Sequence, residues 1–404
     1  MRTPRSILLL SICAGALVLG ACTSAHRSRA ELDCARDEYL ESAARRREEM
    51  IQRIVRRMAR DTEDYAAGRT DVEPVFDVLV ISGGSDKGAF GAAFLAAWGA
   101  TEGPLARPEF DVVTGVSTGA LIAPFVFASD PDSDCRICEL YQNPQPDWIG
   151  LNGLLFLFED SVLSPKGLVR DMQREMGPAL VAAVAHESAK DRLLAVGTTV
   201  LDYGVSHTWD LGSIAEQAAL TGDLERFHDV LRASSAVPGI FPPVQIDGET
   251  HVDGGASSNI LVVGDMLAPD SPRHIFKSMY PDRKLPKIRY WVVLNYQIGV
   301  VPALVGQHWL DITGKSVEVM IRSSTVTALR YFAKEIDAIR AIEGADIELR
   351  YVSIPDDWRA TRQQLFYPPN MRSLAEIGLR MGADPGSWKT DLGSTPLPRE
   401  ELAK

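Results

Sequence analysis

The chain has 404 residues, 46% of them hydrophobic and 24% charged, enough to bury a large core in one large domain or two small ones. Its formal net charge is −12, the opposite of the basic stripe that nucleic-acid binding requires. A membrane surface is not excluded, because an anchor other than charge can hold a protein there.

In chain order, MRTPRS is a short basic stretch and ILLLSICAGALVL is an apolar run too short for a comfortable spanning helix. Leu19, Gly20 and Ala21 then precede Cys22. Small residues before a cysteine at the edge of an apolar run resemble the bacterial lipoprotein signal. That resemblance implies removal of residues 1–21, lipidation of Cys22, and attachment to a membrane of the bacterial cell envelope. Thr23, not Asp, follows the cysteine, which by the same resemblance favours the outer membrane, facing the periplasm. Residues 22–71 read as a lipidated tether and a charged helix. Ile51, Ile54, Val55 and Met58 recur at helical spacing, and Glu41–Arg45 and Glu49–Arg53 are favourable i,i+4 pairs. A long surface helix with a narrow apolar stripe, ending near Gly68, is expected, either packed on the domain or lifting it off the membrane.

A larger domain is expected over 72–385. VFDVLVIS (75–82) and FDVVTGVS (110–117) are continuous apolar, β-rich runs of the kind buried on both faces of a parallel sheet. Helical patterns follow each, and further strands are predicted within 192–204, 287–297 and 346–355. Residues 313–344 read as one long amphipathic helix. Strand and helix alternate, which implies an α/β fold with a mostly parallel sheet. The Pro- and Gly-rich end, 386–404, is expected to be a loose tail. Export would place Cys34, Cys135 and Cys138 in an oxidising compartment. Cys135 and Cys138 lie in a loop-like stretch whose spacing suits a local disulfide or half a metal site, and Cys34 could pair with either. No second CxxC and no nearby His pair support zinc.

Three stations carry the chemistry. SGGSDKGAF (82–90) joins a strand to a helix, where glycines and a helix N-terminus aim backbone N–H groups at one place, able to hold a phosphate or a developing oxyanion. A phosphate loop fails on spacing, since Lys87 precedes the last glycine, Gly88. Gly-Val-Ser-Thr-Gly (115–119) follows a buried strand and opens a small-residue helix. Gly115 and Gly119 remove side chains where the two backbones crowd, so that Ser117 can project as a nucleophile. The third station is Asp253-Gly254-Gly255, where a carboxylate held close to a serine hydroxyl can act as its base. No flanking motif marks any histidine as the partner of Ser117. The apolar run 147–158 suits either a lid at a lipid surface or packing against the sheet.

Together, GGSDKG, GVSTG and DGG, in that order, resemble the patatin-like phospholipases, as does the stretch ASSAVPGIFPPV that leads toward Asp253. The resemblance covers about 72–382. It implies a three-layer α/β/α sandwich and an acyl hydrolase of lipids working without metal or other cofactor. It also implies a dyad of Ser117 as nucleophile and Asp253 as proton acceptor, with an oxyanion hole drawn from Gly83, Gly84, Ser85, Lys87 and Gly88. Ser85 departs from the family's third loop glycine. That departure is the only support for an alternative, a weak or inactive lipid- or partner-binding lipoprotein of the same fold. An esterase or thioesterase acting on soluble acyl substrates is a third option. The expected partners are a membrane, through Cys22, and a lipid or acyl-ester substrate.

Overall fold

The computed structural model describes residues 28–151, 163–302 and 304–392. The signal segment, Cys22, residues 152–158 of the apolar run and the chain end from 393 lie outside the described residues. Two compact units divide the chain, residues 1–46 and 47–404. Helix α1 (Arg29–Ala66) contributes to both.

In the first unit, Ser28 and Glu31 cap α1 reciprocally: the Glu31 N–H donates to Ser28 Oγ at 3.2 Å and the Ser28 N–H to the Glu31 carboxylate at 2.6 Å. The expected Glu41–Arg45 pair forms at 3.9 Å on the exposed face. Cys34 is exposed with a free thiol.

The second unit is built on an eight-stranded sheet. Its strands are β1 (Val75–Ile81), β2 (Val112–Val116), β5 (Leu193–Val200), β6 (Val205–Asp210), β7 (Val244–Ile246), β8 (Glu249–Asp253), β9 (Lys287–Leu294) and β10 (Ile347–Ser353). A separate antiparallel ribbon joins β3 (Gly150–Leu151) to β4 (Leu163–Ser164). The sheet order is β10-β9-β1-β2-β5-β8-β7, with β6 also on β5. The five strands from β10 to β5 are parallel. Such strands need helical crossovers, which coat both faces and account for the unbroken apolar runs. Leu79 and Ile81 enter the core on one face and Phe76, Val78 and Val80 the core on the other, as strand alternation requires. This is a three-layer α/β/α arrangement.

One layer contains α2 (Gly88–Gly99), α3 (Thr118–Phe127), α4 (Pro131–Gln142), α5 (Lys166–Glu175), α6 (Pro178–Ser188), α7 (Leu211–Thr221), α8 (Glu225–Ser234) and, later in the chain, α11 (Pro368–Gly382). The opposite layer contains α9 (Pro272–Met279), α10 (Trp309–Glu343) and residues Met50–Ala59 of α1.

Of the two placements expected for the charged helix, residues 47–66 take the one packed on the domain: Met50, Ile51, Ile54, Val55 and Met58 are core, because their stripe covers the sheet's second face. Three expectations need correction. Arg53 turns away from Glu49 and donates to Ser188 and Ser213 at 2.6 and 3.0 Å. The CxxC stretch is helical, not a loop, capped by Asp130, with both thiols free. The start of the expected tail is packed: Trp388, 7% exposed, sits 4.6 Å from Trp98 and 4.9 Å from Trp291 between ring centroids.

Candidate active site

Ser117 occupies the turn between β2 and α3 with φ 55° and ψ −126°, a conformation that costs a non-glycine residue about 1–3 kcal/mol. The flanking glycines permit it. A Cβ on Gly115 would lie 2.4 Å from Gly119 O, and one on Gly119 would lie 2.3 Å from Ile81 O. The Ser117 N–H donates to Ser234 Oγ at 2.9 Å, and Ser234 donates onward to Gly197 O at 2.7 Å. This leaves the Ser117 hydroxyl as the free end of the turn. Among the described residues no histidine hydrogen-bonds it. His251 instead lies with Nδ1 3.0 Å from Thr198 Oγ1.

Asp253 reaches Ser117 through the edge of β5. There β2 pairs with residues 193–197 and stops at Val116, and β8 pairs with Thr198–Val200, placing Asp253 opposite Thr198. Over 198–200 the other edge belongs to β6, so β8 continues the edge that β2 vacates. The end of β8 therefore meets the end of β2. Asp253 is 2% exposed. Its Oδ1 accepts the Gly255 N–H at 2.7 Å, whereas its Oδ2 has no partner of standard geometry. Burial pushes its pKa up to about 6, with the Ser117 hydroxyl and the Gly255 amide pulling the other way. The Ser117 hydroxyl is thus near enough to favour the ionised carboxylate.

The loop from 82 to 88 leaves β1 and enters α2 through a 3₁₀ turn, Ser85–Lys87. Asn295 braces it from behind: its Nδ2 donates to Ser82 O at 2.8 Å and its Oδ1 accepts the Gly91 N–H at 3.0 Å. Several candidate oxyanion donors are already engaged. The Gly83 N–H donates to Asn259 Oδ1 at 2.9 Å, the Lys87 N–H to Gly84 O at 3.1 Å, and the Gly88 N–H to Ser85 O. Lys87 Nζ donates to Glu318 at 2.6 Å and lies 5.0 Å above the Tyr296 ring. Burial would raise the Glu318 pKa, but Lys87 and Lys315 overcome it and hold the carboxylate down at about 2. Among the described residues, the amides of Gly84, Ser85 and Thr118 have no hydrogen-bond acceptor. Within the loop, the amides of Gly83, Lys87 and Gly88 are thus engaged, and those of Gly84 and Ser85 are open.

A pocket enclosing about 600 Å³, its open mouth included, extends from Ser85 and Ser117 past Leu121, Leu140, Met172 and Phe241. Its walls are almost wholly apolar. Sequence reasoning missed Asn259, Asn295 and Glu318, because none belongs to a motif and each is defined only by what it touches; Ser234 lies in the quoted ASSAVPGIFPPV stretch, but its role too is defined only by its contacts. No group of His, Cys, Asp and Glu able to hold a metal occurs among the described residues.

Residues 79–264 match the family model described as Patatin-like phospholipase. The chain carries a patatin-like phospholipase domain. This match suggests lipid acyl hydrolase activity. No curated protein matches the chain. A solved structure to which it is similar is VipD from Legionella pneumophila, at 11% identity over 79% of this chain and 68% of that one, with a TM-score of 0.33.

The departure at Ser85 has a local explanation within the patatin-like domain. Ser85 has φ 55°, the left-handed region that glycine adopts freely and that costs other residues about 1–2 kcal/mol. Serine adopts it here, its amide stays open, and the residue lines the pocket. All three motif stations lie inside the matched segment, whereas Asn295 and Glu318 lie beyond it.

Proposed function

We propose that the protein hydrolyses acyl esters of lipids through a Ser117–Asp253 dyad and an acyl-enzyme. The observation that carries this reading is the buried carboxylate of Asp253, one oxygen open, beside a serine held on a strained elbow at the head of an apolar pocket. The acyl chain lies in that pocket, which places its carbonyl carbon at Ser117. Asp253 takes the hydroxyl proton as Ser117 Oγ bonds to the carbonyl carbon, and the amides of Gly84 and Ser85 hold the oxyanion. The carbonyl re-forms, the ester C–O bond breaks, and Asp253 returns the proton to the leaving alcohol. Water then attacks the acyl-enzyme, giving its proton to Asp253, and collapse frees the fatty acid and restores the Ser117 hydroxyl. A pKa of about 6 keeps Asp253 ionised at neutral pH yet basic enough to accept a proton.

Lipidation of Cys22 is part of the same reading, and would hold the domain at an envelope membrane, facing the periplasm if in the outer membrane. The test is release of medium-chain acyl groups from nitrophenyl esters by wild type, Ser117→Ala and Asp253→Ala. Activity in wild type alone is expected, with fluorophosphonate labelling confined to chains that retain Ser117. Equal activity in all three would refute the dyad. Cys22→Ala should move the protein into the soluble fraction, and retention at the membrane would refute the anchor.

A further inference from the structure

Gly83 stands directly against the nucleophile. A Cβ on it would lie 2.9 Å from the Ser117 Cβ and 2.4 Å from Asn259 Oδ1. Asn259 is 1% exposed and bonded at both ends of its amide, with Oδ1 accepting the Gly83 N–H at 2.9 Å and Nδ2 donating to Thr325 Oγ1 at 2.8 Å. The Thr325 hydroxyl gives its own proton to Ile321 O at 2.7 Å, so toward Asn259 it can only accept. The Gly83 N–H can only donate. A neutral side chain bridging the two must therefore accept at one end and donate at the other, which a carboxamide does.

Thr325 belongs to α10, and so does Glu318, which holds Lys87 at the far end of the same loop. Glu318, Ile321 and Thr325 are spaced i, i+3 and i+7, one face of the helix. Ile321 on that face would lie 3.6 Å from a Cβ on Gly255, next to Asp253. One helix outside the family-matched segment thus grips the loop at both ends, Lys87 directly and Gly83 through Asn259.

We propose that Asn259, held by Thr325, is a positioning residue that fixes Gly83 so that the open amides of Gly84 and Ser85 stay beside Ser117. The proposal rests on the reading of the site as an ester hydrolase. Donors of this kind act on charge that develops in the transition state, so loosening them lowers kcat and leaves ground-state binding nearly unchanged.

The experiment uses the full chain with nitrophenyl butyrate. Asn259→Leu should lower kcat about 10²-fold and Thr325→Val about tenfold, each with KM within about threefold of wild type. Thr325→Ser, which restores the hydroxyl, should recover most of the loss. Unchanged kcat in Asn259→Leu and Thr325→Val would overturn the proposal, as would Thr325→Ser losing as much as Thr325→Val. If Asn259→Leu does not fold, the Thr325 pair decides alone. If wild type hydrolyses no ester, the function reading fails, and the brace is judged by amide hydrogen exchange over 82–88. Exchange about tenfold faster in Thr325→Val supports it, and unchanged exchange refutes it.

Discussion

Asp253→Asn should abolish hydrolysis while making the fold more stable at alkaline pH. The carboxylate is almost fully buried, and its pKa rises from the ordinary 3.8 to about 6. The folded protein therefore holds this proton more tightly than the unfolded chain, and stability falls as pH rises from about 4 to about 6. Above that window the ionised group costs about 3 kcal/mol, at 1.36 kcal/mol for each pKa unit. At pH 5 the cost is about half as large. Asparagine keeps the oxygen that accepts the Gly255 N–H and carries no charge, so it removes the penalty. At roughly 2 °C per kcal/mol for a unit of this size, Tm should rise about 6 °C at pH 8 and about 3 °C at pH 5. Hydrolysis should fall at least about 10⁴-fold, because among the described residues Asp253 is the titratable group whose pKa the Ser117 hydroxyl shifts. Calorimetry of both proteins across this pH range, with the ester assay in parallel, makes the comparison. A Tm gain that is absent at pH 8, or the same at both pH values, would refute the account of Asp253 as a desolvated base.

Other outcomes follow from the same structure. In wild type, kcat/KM should fall about tenfold per pH unit below about 6, as Asp253 takes up its proton, and level off above it; a pH–rate profile flat from 5 to 8 would contradict this. Leu121→Trp, which fills the pocket wall beside Ser117, should shift preference in a nitrophenyl-ester series toward shorter acyl chains, and an unchanged chain-length profile would place the acyl chain elsewhere. Ser85→Gly relieves a left-handed residue and should raise stability in urea titration by about 0.5–1 kcal/mol; a loss of stability would show that the serine side chain supports the loop. Trp388→Ala should cost about 3–5 kcal/mol by the same measurement, because the ring is buried among Trp98, Trp291 and Phe94.

Much of the fold was legible because parallel strands buried on both faces announce themselves as apolar runs. Residues 75–82 and 110–117 became β1 and β2 with almost no shift of boundary. The helix α1 was legible as a helix, but whether it covers the sheet was not, since a stripe of Ile51, Ile54, Val55 and Met58 fits a helix lifted off the domain as well as a sheet cover. Trp388 was misread because composition marks a segment as loop-like without saying what its one large ring will meet.

The sequence by itself determined the elbow. The crowding that requires Gly115 and Gly119 is local, arising between a strand and the helix that follows it, and it leaves a fixed spacing in the chain. It also supplied Asp253 as a candidate and the loop as a source of amides. Tertiary structure decided that the Gly83 amide is taken, because Asn259 claims it from far along the chain, and that Glu318 of α10 holds the Lys87 side chain. It also decided where Asp253 lies and that it is buried, on which its proposed role as the base rests. That role depends on β8 taking the edge of β5 where β2 ends, and on the burial that follows. Strand pairing across more than fifty residues and removal of water from a carboxylate are properties of the packed molecule, and no short run of residues encodes either.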